Sequence, residues 1–291
     1  MEAPKPGIYR DIPSEDYHRW DAANYSSIKQ FAVSAAHAYT SFTDPWQQTP
    51  AQLLGDRLGE SLLTPAIFAN KYVLAPDFGA RNRNPGKKQW DRFKLENASR
   101  EILEADVMGK ITDMRNALQR NPTFMAMESE KGLAELSFVW VDPDTGVLCK
   151  GRCDWYGALW GNRIVCDVKT TSNGSELLWP KEIAKWGYHI QAAFYLDGLN
   201  VIAPDDRTWL WACVESKPPF LTQMFQCDED SIAEGRRRYK HYLELWKKCK
   251  ESGLWPGYPE GLTPTGIPHW AYQSDEELGL DAYAPEGGDD E

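Results

Sequence analysis

The stretch KGRCDWYGALWGNRIVCDVKTTS, residues 150–172, constrains this chain more than any other. It reads as two β-rich runs joined by the turn Trp160-Gly161-Asn162. Asp154 falls near the middle of the first run, and Asp167-Val168-Lys169 lies on the second. Across so short a turn the two aspartates come to comparable depth in the hairpin. Asp167 and Lys169 are two apart, so they project from one strand face. Two carboxylates and an ammonium then meet at one spot. Carboxylate oxygens suit a hard divalent cation such as Mg²⁺ or Mn²⁺. A metal held there would generate hydroxide and stabilise charge building on a phosphate. A lysine beside it would hold or deprotonate the attacking water. The alternative is a plain charge alternation on a solvated strand. The apolar neighbours Ile164, Val165, Cys166 and Val168 speak against it, because charges are costly in such a strand.

The flanking sequence sets the order of elements. Residues 1–25 look irregular. Ser26 or Ser27 is expected to cap a helix running to about Phe42. Gln52 to Leu63 predicts a second helix stopped by Pro65. A long helix is expected from about Lys87 toward Glu104, and another over 107–120. Leu133 to Val141 alternates like a strand, and Asp142-Pro143-Asp144-Thr145-Gly146 is a strong turn signal. Val147 to Leu159 and Arg163 to Thr171 complete an antiparallel meander. Helices are expected over 176–186 and 188–199, strands over Thr208–Glu215 and Leu221–Cys227, and a last helix over 229–251. This order implies an α/β fold. The expected organisation is one domain over 1–270, mainly helical over 1–125 with the chemistry in 126–252. An acidic tail, 271–291, follows it.

With these motifs placed, the chain resembles the PD-(D/E)xK nuclease superfamily, and within it the exonuclease VIII (RecE)-type phage recombination nucleases. The resemblance rests on Lys150-Gly151-Arg152-Cys153-Asp154, on Asp167-Val168-Lys169-Thr170-Thr171, and on Tyr188-His189-Ile190-Gln191-Ala192-Ala193-Phe194-Tyr195. Gly7-Ile8-Tyr9, Tyr17-His18 and Ser26-Ser27 extend it over most of residues 7–250. It implies a restriction-endonuclease-like core, a mixed sheet flanked by helices, with a helical N-terminal elaboration. It implies a hydrolase that uses Mg²⁺ or Mn²⁺ to degrade double-stranded DNA from free ends, 5′ to 3′, leaving 3′ tails for single-strand annealing. An endonuclease on the same core, or a non-catalytic DNA-binding descendant, stays open. Implied metal ligands are Asp154, Asp167 and the Val168 carbonyl, with Glu135 as a further acid. Lys169 would orient water. Gln191 and Tyr195, at i and i+4, would approach the site from one helix face. The resemblance also implies a ring-shaped homo-oligomer, trimer or tetramer, acting beside a single-strand annealing protein. One position departs from the pattern. Where the family carries Gly-x-x-x-His, this chain has Gly55 to Gly59, and the neighbouring Glu60 is the substitute ligand.

Net charge bears on the partner. The 291 residues carry −11, which argues against nucleic acid. Eight of the acids, and no basic residue, lie in 271–291, and the remainder carries only −3. Residues 79–94 hold six basic residues and one acid. Arg81, Arg83, Lys87, Lys88, Arg152 and Thr170 are the candidate DNA contacts, with Arg236-Arg237-Arg238 equally readable as a solvated face. Trp90 and Trp179 are candidates for base stacking, and His189 for touching substrate. No apolar run reaches the roughly 20 residues of a membrane span, and no leader pattern opens the chain. No membrane partner is expected. The expected location is the cytoplasm of a bacterial or phage-infected cell. The six cysteines lack paired spacing, so buried thiols are expected, with a metal site at Cys149 and Cys153 as the alternative.

Overall fold

The hairpin marked by the sequence is the centre of the sheet. The computed structural model describes residues 2–44, 48–81, 84–268 and 271–272. In chain order the N-terminal elements are β1 (Gly7–Tyr9), α1 (Ser14–Arg19), β2 (Ala23–Asn24), α2 (Tyr25–Ile28), a 3₁₀ turn (Lys29–Ala32) and α3 (Ala35–Thr43). There follow α4 (Pro50–Leu63), α5 (Pro65–Lys71), β3 (Tyr72–Leu74), α6 (Gly86–Glu96), β4 (Glu101–Leu103), α7 (Ala105–Gln119) and α8 (Pro122–Ser129). The remainder is β5 (Leu133–Val141), β6 (Leu148–Leu159), β7 (Asn162–Thr171), α9 (Trp179–Trp186), α10 (Tyr188–Ile202), β8 (Thr208–Glu215), β9 (Thr222–Gln226) and α11 (Glu229–Ser252).

Among the described residues the main sheet has seven strands, ordered β1-β5-β6-β7-β8-β9, with β2 beside the start of β6. The β5–β6–β7 meander is antiparallel. The crossover through α9 and α10 then lays β8 parallel to β7, and β9 returns antiparallel. The sheet is therefore mixed. Asp142 anchors the β5–β6 turn by accepting from the Thr145 amide at 2.9 Å and its hydroxyl at 2.6 Å.

Both sheet faces are covered because the central strands alternate between two cores. Val165, Trp209, Trp211 and Cys213 pack with Phe194, Leu243 and Trp246 of α10 and α11. Ile164, Cys166, Leu210 and Ala212 pack with Leu58, Met114 and Phe124 of α4, α7 and α8. Strand β6 breaks this rule once. Cys153 belongs to the first core and Trp155 to the second, so the strand changes face at Asp154.

The N-terminal half corrects several expectations. Residues 1–25 are not irregular: β1, α1 and β2 are all docked on the sheet. Asn24, not a serine, caps α2 by accepting from the Ser27 amide at 3.1 Å. The helix expected to Phe42 breaks at Val33, and Ser34 caps its second half by accepting from the His37 amide. Pro65 does not simply stop α4; it opens α5 at N1, where its missing N–H is harmless. The long helix from Lys87 ends at Glu96, and residues 101–103 instead pair with β3. All six cysteines are buried free thiols. Among the described residues no helix is long and apolar enough to cross a membrane.

Residues 1–256 form one compact unit and 257–291 a second. Residues 257–268 of the latter contain no helix or strand. Arg83 and nearly all of the acidic tail lie outside the described residues.

Candidate active site

The site begins where strand pairing stops. The β6–β7 ladder ends at Trp155 opposite Cys166, so the next step sets Asp154 opposite Asp167. The β5–β6 ladder pairs Ala134 with Trp155 and Leu136 with Cys153, which sets Glu135 opposite Asp154. Three acids thus occupy one cross-strand row. Glu135 stands in the left-handed region, φ 52°, which is rare for a residue with a side chain. Asp154 Oδ2 accepts from the Val168 amide at 2.7 Å, a side chain taking the place of a ladder carbonyl.

Asp167 is buried, 2% exposed. Its Oδ1 accepts from Gln191 Nε2 at 2.9 Å, and its Oδ2 forms an ion pair with the Lys169 ammonium. Gln191 is delivered by the first turn of α10. That helix can start where it does because Gly187, φ 73°, reverses the chain after α9. The Lys169 ammonium also stands over the Tyr188 ring, 4.8 Å from its centre.

The electrostatics follow from this crowding. Burial pushes the Asp154 carboxyl well up, and Asp167 and Glu135 push it further. Burial raises Glu135 to about 7 against the pull of Arg152, with help from Asp56, Glu60 and Asp167. Burial opposes the Lys169 ammonium, but Asp167, Tyr188 and Asp154 outweigh it and raise its pKa. Lys169 is therefore a fixed cation in this arrangement, which favours holding a water over deprotonating one.

The other residues named from sequence are distributed as follows. Tyr195 is buried, edge-on to Phe138 at 5.4 Å and Trp209 at 5.9 Å. Glu60 pairs with Lys71 at 2.6 Å, on the far side of α4's first turns from the Asp154–Asp167 pair it was expected to join. Thr170 lies under α4, with its hydroxyl 3.6 Å from where a side chain on Gly55 would begin. Arg152 was expected to meet DNA. Instead it donates to Ser137 Oγ and the Ile12 carbonyl, both at 2.8 Å, and stacks on Tyr17 at 4.4 Å. Arg81 is exposed but bound bidentately by Glu104 at 2.7 and 2.8 Å. Lys87 and Lys88 are exposed on α6. Trp179, expected to stack on bases, is buried against Phe225 and Trp211. Trp90 lies beneath the Arg81 guanidinium, 4.0 Å from its ring centre. His189 is buried too. Arg236 is paired with Asp197, and Arg237 and Arg238 with Glu234.

Two residues near the site were not singled out from sequence. Lys150 is buried and donates to the carbonyls of Tyr17, His18 and Trp20 at 2.8, 3.1 and 2.8 Å. Lys29 reaches the neighbourhood of Lys169 from the 3₁₀ turn. Neither belongs to a spacing pattern, because each is placed by packing between distant segments.

The donor set suits a hard cation in kind. Two oxygen-bearing side chains stand side by side on adjacent strands, and their mutual repulsion raises Asp154. A divalent ion between them would remove that repulsion. Among the described residues no three His, Cys, Asp or Glu side chains are gathered as a ready cage. The carboxylates are held instead by Val168, Gln191 and Lys169.

With the geometry described, comparisons define the fold. A family model described as "PDDEXK-like domain of unknown function (DUF3799)" matches residues 24–263. The chain superposes on a solved protein from Eubacterium rectale, assigned as a candidate exonuclease. The TM-score is 0.60 at 14% identity, over 89% of this chain and 97% of that one. At that identity the likeness shows the fold alone: a mixed sheet flanked by helices. The structure of SSO0001 has a TM-score of 0.28 at 14% identity, over 69% of this chain and 88% of that one. Protein VC1899 from Vibrio cholerae gives 0.21 at 12% identity, over 82% and 58%. Both values are too low to carry an argument. No curated protein matches the chain.

Proposed function

The chain belongs to the PDDEXK-like family DUF3799, and from that membership we propose that it is a divalent-metal-dependent deoxyribonuclease, acting 5′ to 3′ as an exonuclease on double-stranded DNA. The observation that carries the nuclease reading is the interrupted strand row, where Asp154 and Asp167 face each other with Lys169 between them and the solvent. A structural charge cluster would be neutralised by the protein, whereas this one retains repulsion that raises Asp154. The exonuclease reading draws on the motif resemblance and, by analogy of fold only, on the E. rectale structure.

In this proposal Asp154, Asp167 and the Val168 carbonyl hold Mg²⁺ or Mn²⁺, with Glu135 or Glu60 as further acids. A bound ion would supply positive charge against the phosphate and acidify its water. The Val168 amide holds Asp154 in place, and Gln191 holds Asp167. Both carboxylates are thus pre-oriented before substrate arrives. Lys169, kept protonated, donates hydrogen bonds that orient the attacking water. The products would be 3′ single-strand tails, and the partners a single-strand annealing protein and further copies of this chain in a trimeric or tetrameric ring. A ring reconciles an acidic chain with DNA, because only its inner surface need be basic.

The test is digestion of linear duplex labelled separately at each 5′ and 3′ end, with and without Mg²⁺, beside a covalently closed circle. The proposal expects Mg²⁺-dependent loss of the 5′ label first and an intact circle. Cleavage of the circle would move the reading to an endonuclease. No hydrolysis with either Mg²⁺ or Mn²⁺ would overturn it.

A further inference from the structure

The N-terminal segment brings a second cation to the site and leaves it unanswered. Lys29 opens the 3₁₀ turn after α2, and its ammonium lies 4.8 Å from the centre of the Tyr25 ring. Among the described residues no carboxylate pairs with it; the charged group that acts on it is Lys169, of like sign. Tyr25 is buried, with its hydroxyl donated to the Trp186 carbonyl at 2.7 Å. Its electrostatic neighbours are Tyr188 and Asp167. Tyr188 in turn lies under the Lys169 ammonium. Two lysines therefore stand over two neighbouring tyrosine rings beside Asp167.

The two are not equivalent. Lys169 has Asp167 as its counter-ion, and Lys29 has none. Elsewhere the chain pairs its well-placed cations: Arg81 with Glu104, Lys71 with Glu60, Arg236 with Asp197, Lys240 with Asp144. Holding a half-buried ammonium beside a like charge costs free energy through both desolvation and repulsion. An anion arriving from outside would remove that cost. On the nuclease reading, the anion at this place is a phosphate.

Resting on that reading, we propose that Lys29 is a substrate-binding residue that grips a phosphate of the cleaved strand next to the one facing Lys169. The chemistry is shared by an internal phosphodiester and by a terminal 5′-phosphate.

The experiment uses the full chain as wild type, Lys29→Met, Lys29→Gln and Lys29→Arg. Binding of duplex DNA is followed by fluorescence anisotropy in Ca²⁺ across a salt series, and hydrolysis in Mg²⁺. Lys29→Met and Lys29→Gln should bind roughly five- to tenfold more weakly, with a salt slope flatter by about 0.9. KM should rise with kcat kept, and Lys29→Arg should restore binding. Melting temperature should not fall, because only an unpaired cation is lost. Equal losses on 5′-phosphorylated and 5′-hydroxyl ends assign an internal phosphodiester; a loss confined to phosphorylated ends assigns the terminal phosphate. Unchanged affinity and slope in Lys29→Met and Lys29→Gln overturn the proposal. A wild type that binds duplex without cleaving it defeats the nuclease reading while the Lys29 comparison still stands. A wild type that does neither removes both.

Discussion

Strand β6 carries three charged residues at alternate positions, and they meet opposite fates. Lys150 is surrounded by three carbonyl acceptors, and Arg152 by Ser137, the Ile12 carbonyl and the Tyr17 ring. Both are used up inside the protein, where they staple the N-terminal segment to the sheet. Asp154, two residues further, receives one amide and faces two other carboxylates. A buried charge that the protein satisfies fixes structure; one left in repulsion is poised for something not yet bound. The same division separates Arg81, held by Glu104, from Lys29.

The largest expected effect lies on the unsatisfied side. Lys169→Ala and Asp167→Asn should each lower the initial rate on linear duplex in Mg²⁺ by roughly 10³-fold. Far-ultraviolet circular dichroism should stay unchanged. Rates within tenfold of wild type would place the chemistry elsewhere.

Lys150→Met tests the satisfied side. It leaves three buried carbonyls without their shared donor, so stability should fall by about 2–4 kcal/mol. Thermal melting reads the loss. Activity per folded molecule at low temperature should survive. Lost activity with unchanged melting would make Lys150 part of the chemistry and dissolve the comparison.

These fates explain what the sequence could and could not convey. Strands β5 to β8 were legible because two-residue alternation and strong turns mark them locally, and Thr208–Glu215 matches its expected bounds. Asp154, Asp167, Lys169 and Gln191 were legible because fixed spacing on neighbouring strands and one helix carries them to the same place. The N-terminal elements were not legible. Strands β1 and β2 are three and two residues long, and bonds from Lys150 and Arg152, more than a hundred residues away, help hold the segment. The break of the expected helix at Glu96 is likewise tertiary. Glu101–Leu103 leaves the helix to pair with Tyr72–Leu74, and no local signal announces it. Arg152 was misread for a related reason. Its type suits a phosphate, but only the fold reveals that Ser137 and Ile12 already occupy it.

A smaller effect should appear in the metal-free protein. The folded chain holds the Glu135 proton up to about 7, whereas an unfolded glutamate releases it near 4.3. Between those values the folded state binds more protons, so stability must fall as pH rises through the window. Glu135→Gln removes that dependence. In chelator it should match wild type near pH 4 and exceed it at pH 8, on the order of 1 kcal/mol once solvent screening is allowed for. Chemical denaturation at the two pH values measures it. An equal difference at both would mean that the charge of Glu135 is already compensated.

The smallest effect is expected where an exposed cation is already paired. Arg81 belongs to the basic stretch that drew attention in the sequence, yet Glu104 holds both ends of its guanidinium. An incoming phosphate would have to displace that carboxylate, so the exchange gains little in water. Arg81→Ala should change duplex affinity by less than about twofold and leave the salt slope unaltered. Glu104→Gln is the informative reverse. It frees the guanidinium without moving the backbone, and it should tighten binding and steepen the salt slope if this surface faces DNA. Anisotropy titrations of the two variants decide the matter together. A large loss in Arg81→Ala would show that pairing inside the protein does not disqualify a cation from the substrate surface, and the rule drawn from β6 would then hold only for buried charges.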